Sequence, residues 1–136
     1  MGVMKPYIIS EDARAQAAFY TEALGGEIVS LSTHGDLMGA QNEFKDKVMH
    51  MCLSVAGENY IFMADSMEPL IQGNGVALTI AYHTESEAYE AFSKLAAGGS
   101  VGHPIEKQPF GIYYGDLVDK FGIKWMITAE PKADLG

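Results

Sequence analysis

Apolar positions recur with helical spacing in two stretches of this chain and with short-range alternation in the segments around them. The first helical stretch is predicted from Glu11 to about Leu24. Ser10 stands as its cap, Glu11 and Asp12 lie at the positive end of its dipole, and Gly25 supplies a left-handed stop. In the second, Thr84 and Glu87 form an S/T-x-x-E capping box, Ala88, Ala91, Phe92 and Leu95 make an apolar stripe, and Gly98 closes the helix. Strand character is predicted before each helix, at Tyr7–Ile9 and Val76–Tyr82. It returns after them at Glu27–Ser32, Val48–Ala56 and Tyr60–Ala64, then at Gly102–Lys107, Ile112–Val118 and Lys124–Ala129. Gly57-Glu58-Asn59 and Asp119-Lys120-Phe121-Gly122 read as hairpin turns.

Each half thus reads as strand, helix and three strands, and the halves echo one another. Residues 11 to 26 return at 84 to 99 with six identities, Ala15/Ala88, Ala18/Ala91, Phe19/Phe92, Ala23/Ala96 and the doublet Gly25-Gly26/Gly98-Gly99. Ordinary composition gives about one or two such matches in a window of that length. Paired units usually create a shared cleft, so a cleft is expected. Laying Gly57, Tyr60 and Ala64 on Gly122, Trp125 and Ala129 leaves eight surplus residues in the first half. These fit Thr33 to Lys47, a stretch without a clean period that reads as a surface loop and a candidate flap. The expected organisation is one domain over 1–136, with modules at 1–66 and 75–130 joined by a linker at 67–74.

Composition narrows the partners. With 136 residues and 48% hydrophobic content, the chain is long enough to bury about two thirds of its unfolded surface in one core. Eighteen acidic against nine basic side chains leave a formal charge of −9, a field that repels phosphate backbones and anionic headgroups. Neither nucleic acid nor membrane is an expected partner. No apolar run reaches signal-peptide or membrane-spanning length, and Cys52 is the lone cysteine, so a cytoplasmic location is expected.

Strand period sends Met49, Met51, Leu53 and Val55 to one side, suited to packing under a helix, and His50, Cys52, Ser54 and Ala56 to the other. In the final strand Trp125, Ile127 and Ala129 form the apolar row, opposite Lys124, Met126 and Thr128. His50 is therefore the candidate general base or metal ligand, since neutral imidazole does either near pH 7. Cys52 reads as a small buried hydrophobe. His34, His83 and His103 read as solvated surface residues. Tyr7, Phe110, Tyr113 and Trp125 are candidates for an aromatic wall around an apolar ligand. Gly98-Gly99 ends a helix, whereas phosphate loops open one.

The phrase Phe19-Tyr20-Thr21-Glu22-Ala23-Leu24-Gly25-Gly26-Glu27 and the closing run Asp119 to Ile127, together with the paired modules, resemble the vicinal-oxygen-chelate superfamily of glyoxalases, bleomycin-resistance proteins and extradiol dioxygenases. Pro6-Tyr7, Val48-Met49-His50 and Gly98-Gly99 look like its PhnB-like branch. The resemblance implies an α+β fold in which two βαβββ modules form a U-shaped mixed sheet around a cleft, in a homodimer. Metal-dependent relatives place a His or Glu on each of four equivalent strands. Here those slots fall near Lys5, among Val76, Ala77, Leu78 and Thr79, among Ile61, Phe62 and Met63, and near Trp125 or Met126, and none offers a carboxylate or imidazole.

No metal and no cofactor are therefore expected. The expected function is binding of a small apolar or aromatic molecule, with Tyr7, His50, Met63, Phe110 and Met126 as its contacts. The alternative is an enzyme of lyase or dioxygenase type with a non-standard site that uses His50. Proteins of this branch often carry a demethylubiquinone methyltransferase label, but a methyltransferase using S-adenosylmethionine would show a glycine-rich turn after its first strand. Here Ile9 is followed by Ser10-Glu11-Asp12.

Overall fold

Two twelve-residue helices form where end-capping and apolar period agree, and each lies against a four-stranded sheet. The computed structural model describes residues 1–130. One compact unit runs to Ile71 and comprises β1 (Tyr7–Ser10), α1 (Ala13–Leu24), β2 (Gly26–Thr33), α2 (His34–Met38), β3 (Val48–Val55) and β4 (Asn59–Asp65). A second begins at Gln72 and comprises β5 (Ala77–Tyr82), α3 (Glu85–Ala96), β6 (Ser100–Lys107), β7 (Tyr113–Val118) and β8 (Lys124–Ala129). Strand order is β1-β4-β3-β2 in one sheet and β5-β8-β7-β6 in the other. In both, the strand before the helix pairs parallel with the last strand and the remaining neighbours are antiparallel. The α+β architecture of two βαβββ modules is thus observed, with strand ends within two residues of expectation.

The helix starts differ in an informative way. Thr84 caps α3 as expected, its Oγ1 accepting from the Glu87 amide at 3.2 Å. The same hydroxyl donates to the Glu87 carboxylate at 2.7 Å. In α1 the cap is Asp12, not Ser10, and the helix begins at Ala13. Ser10 is already the last residue of β1, in register with Asp65, and its Oγ instead accepts from the Asp12 amide at 3.0 Å. Asp12 then accepts from the Ala15 amide at 3.1 Å. The neighbouring carboxylate of Asp65 accepts from the Ala13 amide at 2.8 Å and the Val48 amide at 2.7 Å, so one side chain joins the starts of α1 and β3.

The internal echo is real in three dimensions but shifted by one position at the core. Tyr20, fully buried on α1, stands eight residues after its N-cap, as Phe92 stands eight after Thr84. The identical residue Phe19 is only half-buried. The echo comes into register at the glycine doublets. Gly25 and Gly98 both take positive φ, +73° and +78°. Their successors press on a neighbouring strand: a Cβ on Gly26 would sit 1.9 Å from the Ser54 carbonyl oxygen, and one on Gly99 2.2 Å from that of Val118. The doublet turns the chain and then lets it pass close to backbone, two tasks that only glycine performs together.

Under α1 lie Met51, Leu53, Val55, Ile61 and Met63, with Ala13, Ala17, Tyr20 and Ala23 facing them. Under α3 lie Leu117, Trp125, Ile127 and Ala129. Each large side chain so buried contributes about 2 kcal/mol. The buried polar groups are satisfied: Gln16 donates to the Tyr20 hydroxyl at 2.8 Å, and Asp119 receives the Trp125 indole N–H at 2.8 Å and the amides of Phe121 and Ile123.

Two expectations are corrected. Met49 is half-buried and Val48 takes the buried place, because Ser32 pairs with His50 and the next residue, Thr33, with Val48, which leaves Met49 as the extra residue of a bulge in β3 and breaks the alternation. The stretch from Thr33 to Lys47 is not irregular throughout. Thr33 and Asp36 form a reciprocal capping box that starts the one-turn α2, and Gly39 ends it in the left-handed region. The His34 and Gly35 amides donate to the Lys47 and Lys45 carbonyls, which fastens the segment to itself. No residue of α2 is buried, so no apolar period announces it.

Replacing Gly26 by Ala should destabilise the protein by about 3 kcal/mol, as overpacking against fixed backbone does. Replacing Gly2, where a Cβ meets nothing within 4 Å, should leave chemical denaturation unchanged. Equal midpoints for the two variants would contradict the close approach.

Candidate functional site

Sealing one face of the first sheet with α1 leaves the other to the alternate residues of β1, β3 and β4. Tyr7 lies in register with Phe62, and Phe62 with Cys52, so these three share that face with His50. The rings gather closely. His50 and Phe62 centroids are 5.0 Å apart, while Tyr7 lies 6.0 Å from each, with tilted or edge-on planes. Such offset arrangements suit the ring quadrupoles. The Lys5 ammonium stands 5.6 Å from the Phe62 centroid, close enough for a cation–π attraction. The Tyr7 hydroxyl donates to the Met49 carbonyl at 3.4 Å. Tyr7 is 48% exposed and His50 and Phe62 are half-buried, so the cluster is a partly solvated patch with ring surface to spare.

The structure brings together two of the residues expected from sequence, Tyr7 and His50, and adds Lys5 and Phe62. Met63 lies elsewhere: it is fully buried on the helix-covered face, in register with Met51, and Phe62 occupies the open-face place given to Met63 from sequence. The signal that finds Phe62 is parity with Cys52 across the hairpin, which needs the Gly57 turn to fix the register. Cys52 is a free, half-buried thiol.

In the second unit Met126 is half-buried on the face away from α3, in register with Thr79 and Asp116. Phe110 is 72% exposed in the turn after β6, where the Gly111 amide donates to the Gln108 carbonyl. Tyr113 packs edge-on to Tyr89 at 6.4 Å, and Trp125 is core. His103 is exposed as expected but not merely solvated, because its Nδ1 lies 2.9 Å from the Asp116 carboxylate.

At the positions named from the resemblance to metal-dependent relatives the side chains are varied. Lys5 presents an ammonium, Phe62 a ring and Met126 a thioether. Among the described residues no three His, Cys, Asp or Glu side chains gather where they could hold a metal ion. Nor is any described helix long and apolar enough to cross a membrane.

Comparison with known proteins places this geometry in a family. A solved protein of Pseudomonas aeruginosa, PA1353, is 28% identical, superposes with a TM-score of 0.84, and is matched over 96% of this chain and 99% of its own. The PhnB protein of Bacillus cereus, described as a 3-demethylubiquinone-9 3-methyltransferase, is 26% identical with a TM-score of 0.77 over 95% of this chain and all of that one. A glyoxylase/bleomycin resistance protein/dioxygenase domain from Frankia shares the fold at 16% identity, with a TM-score of 0.69 over 95% and 97% of the two chains. The family model described as 3-demethylubiquinone-9 3-methyltransferase matches residues 4–128. The chain belongs to that family, the PhnB-like branch of the vicinal-oxygen-chelate superfamily.

Proposed function

We propose that this protein is a metal-free binding member of its superfamily that takes a small, largely apolar or aromatic molecule against Tyr7, His50 and Phe62. The observation that carries this reading is the partly exposed ring cluster on the open face of the first sheet, beside Lys5. Three rings 5–6 Å apart offer a planar ligand edge and face contacts worth about 1 kcal/mol each beyond area burial. The Lys5 ammonium repels a divalent cation there and favours a ligand with an electron-rich edge.

Methyl transfer draws no support from the β1–α1 junction. The first amides of α1, which would greet an anionic cofactor group, are bonded to the carboxylates of Asp65 and Asp12. The chain is proposed to act as one domain, a homodimer in the cytoplasm, where a free Cys52 is stable.

A second reading keeps His50 as base or ligand of a non-standard enzyme. It is favoured by the ring's contacts, which are with Tyr7 and Phe62 and include no side-chain hydrogen bond among the described residues.

In a thermal-shift panel of aromatic and antibiotic-like compounds, a true ligand at a hundred times its Kd should stabilise the protein by about 2.7 kcal/mol. Phe62→Ala should weaken that ligand about tenfold, the loss of one good ring contact. A broad panel without a stabilising compound counts against binding. Elemental analysis of protein purified without chelator should find less than stoichiometric divalent metal. A full equivalent, lost in His50→Ala while the fold persists, would transfer the case to the enzyme reading.

A further inference from the structure

We propose that His103, oriented by Asp116 and Tyr114, is a general base on the open face of the second sheet, activating water against small uncharged esters. This goes beyond the ligand site on the first sheet and does not depend on it. The chain builds the arrangement deliberately. Register shifts flank His103 on both sides, between Val101 and His103 and between His103 and Glu106, and Pro104 follows it. Bulges of this kind re-aim a side chain.

Gly102 makes the space: a Cβ there would lie 2.2 Å from Asp116 Oδ1, so any other residue would make the carboxylate shift from its place against the edge strand. Asp116 is 8% exposed and accepts three hydrogen bonds, from the His103 amide at 3.0 Å, His103 Nδ1 at 2.9 Å and the Tyr114 hydroxyl at 2.8 Å. Burial pushes its pKa up, but the bonds from Tyr114 and His103 and the charge of His103 outweigh burial and hold it below the ordinary carboxylate value. Burial and the bond to Asp116 raise the Tyr114 phenol, which therefore stays a donor at neutral pH.

An ionised carboxylate only accepts, so Nδ1 of a neutral His103 carries the proton. The lone pair then belongs to Nε2, and the side chain is 77% exposed, within reach of solvent and substrate. An aspartate that fixes tautomer and orientation while stabilising the imidazolium is how His–Asp pairs act as bases. In the step proposed, a water oxygen bonds to the ester carbonyl carbon while one water proton passes to Nε2. The bond from that carbon to the alcohol oxygen then breaks, the alcoholate leaves with the electron pair, and Nε2 returns its proton to solvent. The net charge of −9 disfavours anionic substrates, hence an uncharged ester.

The test uses p-nitrophenyl acetate as probe with the full chain. His103→Gln should lower p-nitrophenolate release by about tenfold or more, within the range of general-base catalysis, while His34→Gln and His83→Gln leave it unchanged. Asp116→Asn and Tyr114→Phe should lower the rate through His103, the second also serving if the first fails to fold. Nitrogen-15 NMR should show His103 protonated at Nδ1 in the parent and shifted toward Nε2 in Asp116→Asn. A rate indifferent to His103→Gln, or a parent His103 protonated at Nε2, overturns the proposal.

Discussion

Each sheet buries one face under a single helix, and that covering determines nearly everything else. Once Met51, Leu53, Ile61 and Met63 are committed to α1, strand alternation leaves His50, Cys52 and Phe62 no face but the other. In the second unit the same logic, with Leu117, Trp125 and Ile127 under α3, puts Asp116, Met126 and Thr128 together. Candidate chemistry in this protein is what the core does not use.

The covering in turn depends on how the chain leaves the helix. Gly25 and Gly98 reverse direction with positive φ, and Gly26 and Gly99 let the outgoing strand lie where a side chain would strike a carbonyl. The doublets are therefore the most literal part of the duplication. The cores are less literal, since Tyr20 and Phe92 fill corresponding places without aligning as identical letters.

Much of the fold was legible because caps, periods and turn glycines agree at Thr84, Gly57 and Asp119–Gly122. The failures have local causes. Ser10 has the right chemistry for a cap but belongs to β1, and a bulge at Val48 and Met49 inverts the parity of one residue. Of the candidate site, His50 could be read from strand alternation, and Tyr7 only from its residue type. Phe62 required cross-strand register, and the Asp116–His103 pair required knowing that β6 bulges beside β7.

Asp65 grips the amides of Ala13 and Val48 at once. Since the second of these begins the strand that bears His50, the excursion between β2 and β3 is bypassed mechanically. A change of length between β2 and β3 would leave the start of the histidine's strand held by the same carboxylate, so that excursion and the strand's anchorage are separable.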